Sequence, residues 1–180
     1  GFAGGCNAGA LHASTEFLCF LNSDTVVEGD VLHRLVAHAS DPKVGISAPY
    51  SNRARPPQGY YDRDKTPGTQ DVESVVGFCM VMRKSVFDRV GGFDVAFCNF
   101  EDDDLCRRVR EKGLLCRIVE SAWVHHEEHA SFSANGVCVE GEIRKSEVLF
   151  NKKYPKVRVI AITLNERDSL PGFFDQFKHI

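Results

Sequence analysis

The fold is decided by the stretch Phe17-Leu-Cys-Phe-Leu-Asn-Ser-Asp-Thr25, in which an apolar run breaks abruptly into polar residues. This is the pattern of a buried strand that ends at a polar rim. In open α/β sheets the ligand crevice lies outside the carboxyl ends of the strands. Asp24, with the small Ser23 beside it, is well placed there to hold a hard cation, because such cations prefer oxygen ligands. The alternative interpretation is a strand followed by an Asx turn.

Composition limits the classes of protein to which this chain can belong. Its 180 residues, 43% hydrophobic and 26% charged, are enough for one soluble domain with a core. A net charge of -3 argues against a nucleic-acid partner held by a basic surface. No apolar run reaches the roughly twenty residues that span a bilayer, so no transmembrane segment is predicted.

The cysteines predict a reducing compartment. The chain has seven, an odd number, and none forms a Cys-x-x-Cys pair. Cys19, Cys79 and Cys116 stand in apolar stretches, where cysteine behaves as a small buried hydrophobe. We therefore expect a cytoplasmic protein, with peripheral attachment to the inner membrane face left open.

Apolar strands alternate with amphipathic segments along the chain, which indicates an α/β domain. Gly1–Gly9 is predicted to be a loop before a short helix, and the aperiodic Tyr50–Val72 a long functional loop. The predicted strands are Phe17–Leu21, Val44–Pro49, Val75–Met82 and Leu115–Val119 with its continuation to His126. The predicted helices are Val31–Ser40 capped by Asp30, one capped by Ser85 that runs through Val90 and ends at Gly91-Gly92, one that follows the acidic run, and part of Ala134–Lys153.

Two clusters carry titratable groups. Glu101-Asp-Asp-Asp104 precedes the third helix, where acids suit the helix dipole. That explains one or two carboxylates, but four neighbours repel, so some are expected to have another role. His125, His126 and His129, beside two glutamates, favour a metal or reactive site. Residues 125–129 also satisfy the His-x-x-Glu-His pattern of inverted zincins, so a zinc peptidase is an alternative, although that pattern requires a helix.

Several separated motifs then occur in one order. They are Gly-Phe-Ala-Gly-Gly-Cys-Asn (1–7), Phe-Leu-Asn-Ser-Asp-Thr (20–25), Gly-Phe-Cys-Met-Val-Met-Arg (77–83), Val-Gly-Gly-Phe-Asp (90–94), Phe-Glu-Asp-Asp-Asp-Leu-Cys-Arg-Arg (100–108), and a final histidine with Ser131. Residues 1–131 thereby resemble a family 2 glycosyltransferase of the rhamnosyltransferase-like branch. Val157–Glu166 resembles the first strand of another copy of that domain.

The resemblance implies a partial GT-A (nucleotide-diphospho-sugar transferase) fold, with a mostly parallel sheet flanked by helices. It implies inverting transfer, with Mn²⁺ or Mg²⁺, from a nucleotide-diphospho-sugar to a glycan, lipid-linked or protein acceptor. It also predicts residues 1–153 as the C-terminal part of one such domain, 154–156 as a linker and 157–180 as the start of a second. Since the family's nucleotide-binding strand would precede Gly1, weak or no activity is expected of the fragment alone.

The resemblance also assigns the site. Asn22-Ser23-Asp24 stands where the family has Asp-x-Asp, so Asp24 would bind the metal and Asn22 and Ser23 the substrate. Asp102 would be the general base, with Glu101 beside it. His126 would complete the metal site, with the adjacent His125 as the alternative. Asn7 and Gly77, in the remaining motifs, would contact substrate. A non-catalytic module that binds nucleotide or glycan stays open as an alternative.

Overall fold

The structure is a computed structural model that describes residues 1–60, 62–127 and 139–156. Its helices flank one sheet, as the sequence predicts. The helices are α1 (Phe2–His12), α2 (Val31–Ala39), α3 (Lys84–Val90), α4 (Glu101–Glu111) and α5 (Val139–Lys153), with a 3₁₀ turn at Arg63–Lys65. The strands are β1 (Phe17–Leu21), β2 (Thr25–Val27), β3 (Val44–Ser51), β4 (Gln70–Val72), β5 (Cys79–Arg83) and β6 (Leu115–His126).

The sheet has the order β1-β5-β3-β6-β2, and β4 also pairs with β6. This confirms the predicted α/β architecture, but the described sheet is mixed rather than mostly parallel. Only β3 and β6 run parallel, while the other four pairings are antiparallel. The reason is connectivity: β5 returns beside β3 from a long loop without a helical crossover. Parallel pairing needs a long crossover, and the chain between β3 and β6, which includes α3 and α4, supplies one for that pair.

Apolar side chains cover both faces of the sheet. Alternate residues of β5 point to opposite sides, so Met80 and Met82 pack with α1, α3 and α4, while Cys79 and Val81 pack with α2. All eight residues of β3 are buried, as expected of a strand covered on both faces. The two layers of helices leave the ends of the strands as the rim where polar side chains can gather.

The glycine-rich start of the chain is helical, contrary to the predicted loop. Helix α1 covers Phe2–His12, and its Ala3 and Ala10 are buried in the core. A β carbon placed on Gly4, Gly5 or Gly9 would meet nothing within 4 Å, so close packing against the described part of the protein does not require these glycines. Packing of the alanine face therefore outweighs the poor helix propensity of glycine.

Other expectations need smaller corrections. The predicted loop Tyr50–Val72 contains strand β4, and α3 begins at Lys84, so Ser85 does not cap it. Cys79 and Cys116 are buried as predicted, but Cys19 is exposed, because it lies on the outward side of edge strand β1.

The proposed second domain, residues 157–180, lies outside the described residues, so that division stays a prediction. Tyr154, in the predicted linker, is bonded to the first domain through Asp104. Among the described helices, none is long and apolar enough to cross a bilayer.

Candidate active site

The turn after β1 is fixed between the two strands that flank it in space. The N–H of Asn22 donates to the Phe78 carbonyl at 2.8 Å, and the N–H of Glu127 donates to the Asp24 carbonyl at 2.9 Å. The Thr25 hydroxyl closes the turn by donating to the Asn22 carbonyl at 2.7 Å. The apolar strand thus delivers Asp24 to the end of β6, with only 11% of its side chain exposed.

His126 ends β6 opposite Thr25 and faces Asp24. Its Nε2 lies 3.5 Å from Oδ1 of Asp24, and its Nδ1 lies 3.1 Å from the Arg53 carbonyl oxygen. The ring stacks on Phe78, with centroids 4.9 Å apart and planes 20° apart. Stacking and the carbonyl contact together hold the imidazole in one orientation.

The adjacent histidine points elsewhere. Successive residues of a strand face opposite sides, so His125 is exposed, and its Nε2 contacts the Glu127 carboxylate at 2.8 Å. The structure therefore brings His126, and not His125, to Asp24. Both histidines lie in a strand, so the helix that an inverted-zincin site requires is not formed over them, while His129 lies outside the described residues.

The Asp24–His126 pair suits a divalent cation. The Arg53 carbonyl accepts a hydrogen bond from Nδ1–H, and in the neutral imidazole this tautomer directs the Nε2 lone pair at a carboxylate oxygen. Outer hydrogen bonds of this kind are the usual support of a metal-ligating histidine. Two lone pairs 3.5 Å apart repel each other, and a cation with ligand bonds of about 2.1 Å would relieve that repulsion. Among the described residues, no three or more His, Cys, Asp or Glu side chains cluster so as to hold a metal ion, so substrate and water would supply the other ligands.

Asp102 occupies the first turn of α4 and reaches the same rim. Its Oδ2 accepts the N–H of Gly77 at 2.9 Å, and its Oδ1 accepts the N–H of Asp103 at 2.8 Å. Burial, followed by the charge of Asp103, raises the pKa of Asp102, while Arg55 and these two N–H groups act against the rise. A β carbon on Gly77 would lie 3.2 Å from the Asp102 β carbon, so a larger residue there would require a shift of a few tenths of an ångström.

Gly77 and Phe78 join the two parts of the site. Gly77 donates its N–H to Asp102. The next residue, Phe78, accepts the N–H of Asn22 with its carbonyl and stacks its ring on His126. Asp24, His126 and Asp102 therefore lie at one rim, joined through two consecutive residues.

The four neighbouring acids have separate environments, which explains how they coexist. Asp103 forms a bidentate pair with Arg55. Asp104 is fully buried and accepts from Arg108, Lys153 and Tyr154. The Oε2 atom of Glu101 is buried and has no hydrogen-bond partner among the described residues. Burial, with the charges of Asp102 and Asp103, raises the pKa of Glu101 to about 7.

The remaining predicted substrate-binding residues differ in whether their side chains already form hydrogen bonds within the protein. The Asn7 carboxamide donates to the Phe93 carbonyl at 2.8 Å and accepts the Phe93 N–H at 2.9 Å, which fastens α1 to the residues after α3. A structural role thus accounts for both of its polar groups, and substrate contact by Asn7 stays a prediction. By contrast, the side chains of Asn22 and Ser23 make no hydrogen bond to the described part of the protein and remain available at the rim.

Sequence reasoning missed the residues that follow β3. Asn52 bonds both backbone groups of His126, accepting its N–H at 2.8 Å and donating to its carbonyl at 3.1 Å. Arg53 supplies the carbonyl at Nδ1, and Arg55 holds Asp103. The polar run after a buried strand was the available signal, since it has the same pattern as Asn22–Asp24 after β1.

The same architecture occurs in solved glycosyltransferases. The mannosyltransferase PcManGT of Pyrobaculum calidifontis, solved in complex with GDP-Man and Mn²⁺, superposes with a TM-score of 0.61 over 89% of this chain and 45% of its own, at 16% identity. This likeness shows the fold, which is of partial GT-A type.

The sequence comparison gives the family. The model of Glycosyl transferase family 2 matches residues 1–91, and the chain belongs to that family. A pre-mycofactocin glycosyltransferase of Mycobacterium tuberculosis is 30% identical over 135 residues, covering 67% of this chain and 29% of that protein. An N-acetylglucosaminyl-diphospho-decaprenol L-rhamnosyltransferase of the same organism is 40% identical over 67 residues, covering 36% and 22%. The chain thus spans less than a third of the length of either relative.

Proposed function

We propose that this protein transfers a sugar from a nucleotide-diphospho-sugar to an acceptor hydroxyl, with inversion and with a divalent cation, in the synthesis of a glycan or cell-surface polysaccharide. The observation that carries the proposal is the pair formed by Asp24 and His126, whose Nε2 faces Oδ1 of Asp24 while its Nδ1 contacts the Arg53 carbonyl. The Mn²⁺ and GDP-Man in the mannosyltransferase structure support it.

Asp24 and His126 would hold Mn²⁺ or Mg²⁺, which offsets the negative charge that gathers on a departing nucleoside diphosphate. Asn22 and Ser23, with side chains free at the rim, would bind the donor. Their position beside Asp24 in the turn after β1 keeps the donor next to the cation site.

Asp102 would act as the general base. Its carboxylate takes the proton of the acceptor hydroxyl as that oxygen bonds to the anomeric carbon, and the bond between that carbon and the diphosphate oxygen breaks. A single displacement of this kind inverts the anomeric configuration. Burial raises the pKa of Asp102, which makes its carboxylate a better proton acceptor.

The proposal is tested by assaying the full-length protein with a panel of nucleotide sugars and candidate glycan, lipid-linked and protein acceptors, with Mn²⁺, with Mg²⁺ and with EDTA. We expect metal-dependent release of nucleoside diphosphate, and a product of inverted configuration by NMR. Asp102→Asn and Asp24→Asn should each abolish transfer. The matched control is Asp88→Asn, which changes an exposed aspartate whose ion-pair partner among the described residues is Lys84 on α3.

Two results would contradict the proposal. If Asp102→Asn transfers sugar as fast as the wild type, the carboxylate is not the base. If the protein binds nucleotide sugars but no acceptor receives the sugar, a non-catalytic binding module is the better description.

A further inference from the structure

The segment Asn52–Gln58 contacts both parts of the site. At its start, Asn52 and Arg53 hold His126. At its end, the buried Gln58 donates to the Pro49 carbonyl at 2.8 Å and accepts the N–H of Val76 at 2.7 Å. Val76 directly precedes Gly77, the donor to Asp102. The segment is therefore anchored at both ends, and Arg55 lies between the anchors.

Arg55 reaches from this segment to the first turn of α4. Its two terminal nitrogens contact the two carboxylate oxygens of Asp103, one of them at 2.9 Å, and the guanidinium also donates to the Ser74 hydroxyl at 3.1 Å. The Asp103 side chain is only 16% exposed. A bidentate pair of this kind fixes orientation as well as charge.

From these contacts we infer that Arg55 is a positioning residue for Asp102: it fixes the turn that carries this carboxylate and places a positive charge beside it. The inference rests on the proposed function, in which Asp102 is the base. Arg55 is neither one of the two proposed metal ligands, Asp24 and His126, nor one of the four acids Glu101–Asp104.

The charges around Asp102 explain why such a residue is needed. Glu101, Asp103 and Cys106 face it from α4, and Arg55 faces it from the segment Asn52–Gln58. Gly77, which follows β4 and packs against Asp102, contributes only a backbone N–H. Burial and Asp103 raise the pKa of Asp102, and Arg55 is the positive group that lowers it. Without Arg55, Asp102 would stay protonated up to a higher pH, and below that pH it could not accept the proton of the acceptor hydroxyl.

Two variants of the same ion pair separate this role from simple stabilisation. Arg55→Met removes the positive charge, so the pH midpoint of the acidic limb of kcat should rise by about one unit. Asp103→Asn removes a negative neighbour and leaves Arg55 bonded to Ser74, so the midpoint should fall by a similar amount. A purely structural ion pair would be lost in both variants and would move the midpoint in neither. Arg55→Lys keeps the charge but not the fork, so its midpoint should stay near that of the wild type while kcat falls.

The experiment measures kcat against pH for the wild type and the three variants in the full-length protein. In parallel, carboxyl NMR titrates Asp102, assigned by its loss in Asp102→Asn. Opposite shifts for Arg55→Met and Asp103→Asn support the inference, and equal or absent shifts overturn it. If Arg55→Met does not fold, the direction of the Asp103→Asn shift decides. Because the NMR titration needs no turnover, absence of sugar transfer would overturn the proposed function without deciding the role of Arg55.

Discussion

Replacing Asp104 by asparagine is expected to destabilise the domain strongly, although this residue is not part of the proposed catalytic site. Asp104 is fully buried, and its two carboxylate oxygens accept hydrogen bonds from Arg108, Lys153 and Tyr154. Arg108 also donates to the carbonyls of Val90 and Gly92, so the carboxylate joins α4 to the end of α3 and to α5. Asparagine has the same shape but removes the charge and places an amide donor among these donors.

The magnitude follows from the burial. Removing one partner of a buried ion pair costs about 3–5 kcal/mol, and the lower end applies because Arg108 and Lys153 are partly exposed, at 18% and 34%, and can reach water. For a domain of this length, about 3 kcal/mol lowers the melting temperature by roughly 6–12 °C.

Thermal unfolding, followed by circular dichroism at pH 7, measures this change. The matched control is Asp30→Asn, because Asp30 also pairs with an arginine four residues later, but on the surface. That variant should melt at the wild-type temperature. The reasoning fails if Asp104→Asn melts no lower than Asp30→Asn, since the buried carboxylate would then contribute no more than an exposed one.

Three further predictions concern the rim. His126→Ala should raise the Mn²⁺ concentration needed for half-maximal transfer by more than about tenfold, while His125→Ala, which changes the exposed neighbour, should leave it unchanged. Gly77→Ala should lower kcat by about tenfold without unfolding the protein, because its β carbon would displace Asp102 by a few tenths of an ångström; a wild-type kcat would contradict this. Glu101→Gln should melt above the wild type at pH 8 and level with it at pH 4.5. Because the pKa of Glu101 is raised from 4.5 to about 7, the wild type loses stability as pH rises between those values, and equal melting temperatures at pH 8 would count against the shift.

Local patterns in the sequence were sufficient for most of the secondary structure. The strand Phe17–Leu21 and the helix after Asp30 form where apolar spacing predicts them. The same reasoning was wrong for the glycine-rich start, which was predicted to be a loop. Its helix is held by contacts with distant core residues and by the hydrogen bonds of Asn7 to Phe93. Likewise, a strand pattern does not reveal which strand will lie at an edge, so Cys19 was predicted to be buried.

By itself the sequence determined the α/β pattern, the polar turn Asn22–Asp24, the acidic start of α4 and the family motifs, because each depends on residues within a few positions of one another. Only the tertiary structure selected His126 over His125, separated Asp102 from its two ion-paired neighbours and placed Asn52 and Arg55 at the rim. Those assignments depend on contacts between residues 25 to 102 positions apart, as between Gly77 and Asp102 or Asp24 and His126. Such contacts are fixed by strand order and helix packing, which no local pattern of residue types encodes.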